Sequence, residues 1–177
     1  MHFGERLALI VGLAAIVGAA HTVESRADAR RKPPAERMLA GYALDKPGSV
    51  NLRDARTGYY LVRARECDGA HMYLGLYPNR AALAEVAGSS DSPIAAGRLR
   101  DLRTGHGVAI GDTAAEVLGK MGSPTWQGLA RHTAGERVWS YHHLSGTHAK
   151  GVEYITLFRF RHGHVTGIEL DREAYPG

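Results

Sequence analysis

One cysteine in 177 residues, Cys67, leaves the chain without an intramolecular disulfide. No cysteine stands just after the N-terminal apolar run either, so the attachment site of a bacterial lipoprotein is missing. That run, Leu7 to Ala20, holds 14 uncharged and mostly apolar residues, short of the ~20 needed to cross a bilayer as a helix. Catalytic signatures are also lacking. No serine nucleophile elbow occurs, and Gly105-His-Gly107 lacks the Lys-Ser/Thr ending of a phosphate loop. Asp91, Asp101, Asp112 and Glu116 form no evident acid–base pair, and Cys67 has no histidine close by in sequence. These absences predict a protein that is not an enzyme and needs no cofactor. Proline is scarce, 7 residues against 22 glycines, which fits many tight turns and a β-rich fold.

The N-terminus predicts export. A weakly positive start, Met1 to Arg6, precedes the apolar run, and small residues follow it. That is the layout of a secretory signal peptide over residues 1–20, with cleavage after Ala19, Ala20 or Ala29. The alternative is an uncleaved segment that holds the protein at the inner membrane. Either way the address is periplasmic, secreted or envelope-associated. Residues 21–38 read as a basic, proline-containing linker, and Arg30, Arg31 and Lys32 are candidates for weak contact with an anionic membrane surface. The net charge of +4 comes with no aromatic-plus-basic recognition motif, so no nucleic-acid partner is expected.

Residues 39–177 are expected to form a single domain. Tyr59–Glu66 and Ala70–Tyr77 are strand-like, with Cys67-Asp-Gly69 as the turn between them. Arg80–Val86 has helix-forming composition, and Ile94–Leu102 is ambiguous. Val108 and Ile110 suggest a short strand. Thr113-Ala-Ala-Glu116 is a capping box that starts a helix, Val117, Leu118 and Met121 give it an apolar face, and Gly122 and Pro124 stop it. Thr125–Arg131 is a weak strand. Arg137–His143, Val152–Arg161 and Val165–Leu170 are clearer strands, the last two joined by a tight turn at Arg161–His164. The fold class expected is α+β: an antiparallel sheet meander with one or two short helices packed on one face.

Gly111-Asp-Thr113, Val117, Leu118, Gly122-Ser-Pro124, Trp139-Ser-Tyr141, Phe158-Arg-Phe160 and Gly163–Ile168 together give residues 105–171 a pattern. It resembles the SmpA/OmlA (BamE-like) family of outer-membrane assembly lipoproteins and the wider fold of β-lactamase inhibitor proteins. The resemblance implies a binding or assembly module of the cell envelope, with Gly111, Thr113, Glu116, Gly122 and Pro124 as its structural frame and no catalytic residues. Two departures weigh against a place in barrel assembly: the missing lipid-attachment cysteine and the β-rich sequence ahead of the motif.

For a protein partner, the candidate contacts are Trp139, Tyr141 and His143, which alternate onto one strand face, together with the loop Leu144–Gly151. The alternative function is a periplasmic metal-binding protein. Six of the ten histidines lie beyond residue 130, and His142, His143, His148, His162 and His164 supply the ligand type that zinc or copper prefers.

Overall fold

The computed structural model describes residues 34–65, 70–87, 93–130 and 135–175. The chain divides into Met1–Lys32 and Pro33–Gly177, and every described residue belongs to the second part. The expected signal peptide, the basic residues Arg30, Arg31 and Lys32, and the Cys67 turn therefore lie outside the described residues.

The first short strands, β1 (Met38–Leu39) and β2 (Tyr42–Ala43), form a two-stranded ribbon. The main sheet takes β3 (Val50–Asp54), β4 (Tyr60–Arg65), β5 (His71–Tyr77), β6 (Ala95–Gly97), β7 (Trp126–Leu129), β8 (Arg137–Gly146), β9 (Gly151–Arg161) and β10 (His164–Tyr175). Its spatial order is β6-β3-β4-β5-β10-β9-β8-β7. All neighbours are antiparallel except β3 and β6, which run parallel. Helices α1 (Arg80–Ala87) and α2 (Ala114–Met121) have eight residues each.

This corrects the expected α+β meander with helices on one face. The protein is mostly β, in one large mixed sheet, because the stretch before residue 105 supplies four strands to the same sheet. The two short helices sit on opposite faces. Side chains alternate between faces along a strand. Leu61, Leu74, Leu76, Ile168, Leu170, Phe158, Phe160 and Tyr141 point to an inner face, where Leu39, Leu44, Leu99, Val108, and Val117 and Met121 of α2 cover them. Val62 and Tyr77 point the other way, onto Leu83 of α1. Leu118, expected to share the apolar face of α2, is 41% exposed.

Two further boundaries move. Val108 and Ile110 do not form a strand. They lie in a tight loop closed by Thr104 N–H to Val108 O at 2.8 Å and Ile110 N–H to Leu102 O at 2.9 Å. Residues 34–38, expected in the linker, are built into the domain. The buried Glu36 carboxylate accepts from Thr104 Oγ1 at 2.5 Å and from His106 N–H at 3.1 Å. It also lies 3.0 Å from His106 Nδ1. Beside it, the Arg37 guanidinium stacks 4.5 Å from the centre of the Tyr154 ring.

Candidate functional site

The turn-helix-turn frame forms as its residues dictate. Thr113 caps α2, with Glu116 N–H donating to Thr113 Oγ1 at 3.3 Å and Thr113 N–H donating to Glu116 Oε2 at 2.7 Å. These bonds hold the Glu116 carboxyl below its usual range. Gly122 ends the helix, its N–H donating to Leu118 O at 2.8 Å. Gly111 N–H donates to Val165 O, and Val165 N–H to Asp112 O, each at 2.8 Å, so the frame is stitched to the start of β10. Lys120 Nζ reaches Asp112 at 2.6 Å and Gly107 O at 3.0 Å. These groups hold one another and build a scaffold.

Two of the three expected partner contacts lie in the core. Trp139 is 6% exposed and packs on Phe160, ring centres 4.7 Å apart. Tyr141 is 1% exposed; its hydroxyl donates to Gly122 O at 3.0 Å, and burial pushes its pKa up. A partner would reach neither without unpacking the sheet. His143 is half-buried on the same face, paired in register with Tyr154. Alternation showed that the three share a face, and the structure shows that this face is the inner one. The expected loop Leu144–Gly151 is mostly strand: β8 and β9 pair out to Gly146 and Gly151 around a short turn at Thr147–Lys150.

The histidines do not converge. His142 Nδ1 lies 2.9 Å from Glu153 Oε1 on the outer face, His143 is on the inner face, and His148 stands edge-on to Tyr175. His164 Nδ1 is 3.0 Å from Gly111 O, and His162 sits in the β9–β10 turn. Among the described residues no group of three or more His, Cys, Asp or Glu is placed to hold a metal ion.

The outer face carries a charged network that only the register reveals. Arg159 on β9 donates through Nε to Glu169 on β10 and through Nη1 to Glu136 at 2.9 Å. Glu169 is buried, and burial pushes its carboxyl up while Arg159 offsets part of that effect. A second group joins His142, Glu153 and Tyr175, whose hydroxyl donates to Glu153 Oε2 at 2.7 Å. Burial raises the Glu153 carboxyl, but the bonds from Tyr175 and His142 outweigh it and leave the net shift downward. Every charge here has a partner, so the network fastens β8, β9 and β10 together.

The surface left over is the edge strand β7, read from sequence only as a weak strand. It bonds to β8 on one side and ends the sheet. Ala130 N–H donates to Glu136 O at 2.9 Å. Bonded pairs alternate along an antiparallel ladder, so Trp126 and Gly128 turn their backbone groups toward β8. Gln127 and Leu129 turn theirs outward. Thr125 N–H also reaches Ser140 O at 2.8 Å, a bulge that starts the strand. Trp126 is 53% and Leu129 71% exposed, two of the four large apolar side chains exposed among the described residues. The indole lies over Gly128, where any Cβ would collide with its six-membered ring. Sheet edges are commonly guarded by lysine, proline or inward charges; β7, Trp-Gln-Gly-Leu, has none. The sequence signal was present in Trp126 and Leu129, but only the strand order shows that they lie at an edge.

Comparison with known proteins returns nothing to set beside this geometry: no family model, no curated protein and no solved structure matches the chain.

Proposed function

We propose that the protein is an exported, envelope-associated binding module without catalytic activity, and that it receives an extended segment of a protein partner on β7. The observation that carries this reading is the uncharged edge with outward backbone groups at Gln127 and Leu129 and exposed side chains at Trp126 and Leu129. Strand addition uses main-chain hydrogen bonds for affinity and neighbouring side chains for selectivity. The rest of the domain supplies what such a module needs. The Arg159 network and the α2 frame fix the sheet behind the edge, and the buried contacts of Glu36 tie the start of the domain to it. The signal-peptide layout of residues 1–20 and the resemblance of residues 105–171 to the SmpA/OmlA family support an envelope address.

A photo-crosslinking amino acid placed at Leu129 in living cells tests the reading. A discrete protein adduct is expected, and Gln127→Pro, which removes an outward donor, abolishes it. Absence of any adduct at Leu129, with efficient adducts from a control position such as Arg161, would overturn it.

A further inference from the structure

The geometry points to a second copy of this chain as the strand that occupies β7, giving a two-fold dimer in which two sheets join edge to edge. The inference rests on the strand-addition reading and names its partner.

Self-complementarity carries the argument. The outward-facing residues are Gln127 and Leu129, two positions apart. An antiparallel β7 from a second copy, centred on Gly128, sets Gln127 opposite the partner's Leu129 and Leu129 opposite the partner's Gln127. Both are hydrogen-bonded pairs, so each outward N–H and C=O finds a mate. The same register sets Gly128 against Gly128 and Trp126 against Ala130. The side chains fit this arrangement. Trp126 and Gly128 share the outer face, and the indole already lies over its own glycine. Glycine at both axis positions leaves no Cβ beneath either indole, and each Trp126 stands opposite the partner's small Ala130. On the inner face Leu129 covers the partner's Gln127 stem.

Charge favours the same choice. The chain is net positive at +4, so two copies repel in general, yet β7 carries no charge and lets them meet at a neutral strip. Isologous contacts of this kind close after two subunits. The strand is short. Trp126, Leu129 and the paired backbone cover a few hundred Å² per protomer, below the roughly 800 Å² per partner of a standard interface. The dimer is therefore weak, with dissociation expected on the order of tens of micromolar.

Sedimentation velocity of the full chain across a concentration series tests this. The expected result is a monomer–dimer equilibrium that Gln127→Pro weakens at least ~10-fold, by removing one outward donor in each copy. Leu129→Lys, which adds like charges beside the axis, should weaken it as much. Both positions are exposed, so thermal melting should change little, and a variant that fails to fold is replaced by the other. Register is tested separately on a Cys67→Ser background. A mixture of Gln127→Cys and Leu129→Cys chains should oxidise to a disulfide-linked pair faster than either chain alone. A chain that stays monomeric overturns the inference, as does a dimer indifferent to both variants. If the chain is monomeric while the crosslinker at Leu129 still captures a different protein, self-pairing fails and the strand-addition reading stands.

Discussion

The two faces of the sheet are held by different physics. The inner face is apolar: Phe158, Leu76, Ile168 and Leu170 are fully buried beneath the ribbon, the 99–112 loop and α2. The outer face toward β8–β10 is ionic, with Arg159 between Glu136 and Glu169 and Glu153 between His142 and Tyr175. Apolar burial is non-directional and scales with area. A buried ion pair depends on geometry and on pH, and removing one member costs more than removing both. The inner face therefore makes the domain fold, while the outer face sets how the strands line up.

The largest effect should come from breaking the inner face. Phe158→Ala should lower unfolding free energy by about 3–5 kcal/mol, read by urea titration; a loss under ~1 kcal/mol would mean that the core closes around the gap. On the outer face, Arg159→Met alone should cost about 3 kcal/mol, because Glu169 is left buried without its cation. Arg159→Met combined with Glu169→Leu should recover most of that. If the double variant is as unstable as the sum of the singles, Arg159 and Glu169 are not coupled and the pair does not hold the outer face together.

Acidification separates the faces next. The folded carboxyl of Glu153 is held below its unfolded value, so its contribution is fully present above that value, about 4.5. It is lost as pH falls through the folded one. Melting temperature should drop on going below pH 4.5, and Glu153→Gln should flatten that drop, whereas Phe158→Ala should leave its shape unchanged. Smaller still, Thr113→Ala removes the cap of α2 and should cost about 1 kcal/mol, measured by thermal denaturation. Leu129→Ser belongs to neither face and should change stability by less than ~0.5 kcal/mol.

What was legible in the sequence follows from the range of each signal. The Thr113–Glu116 box is local and legible to the residue, and the β4 and β5 segments are legible as neighbouring strands, though not their register. The alternation in β8 and β9 grouped Trp139 with Tyr141 and Phe158 with Phe160. A period of two cannot say which group points inward, however, and that ambiguity put Trp139 and Tyr141 on a binding surface. The ribbon strands β1 and β2, and β3 and β6 of the eight-stranded sheet, are too short to carry a clear period, so the expected meander is smaller than the mixed sheet that forms. Arg159 meets Glu169 only through the β9–β10 register, and Glu36 meets Thr104 across a sequence separation of 68 residues. No local pattern could have announced either contact. The edge position of Trp126 depends on strand order, which no window of sequence contains.

The turn between β9 and β10 bears on the order in which the domain assembles. His162 and Gly163 both take positive φ, 51° and 80°, and join the two longest strands through a two-residue connection. A loop that short closes at small entropic cost, and hairpins form within about 1–10 μs. The β5–β10 ladder must instead bring together strands separated by the whole of residues 78–163, and the β3–β6 pair needs a parallel crossover. Pulsed hydrogen exchange during refolding should find the β9–β10 amides protected first, with the N-terminal strands joining a template that already exists.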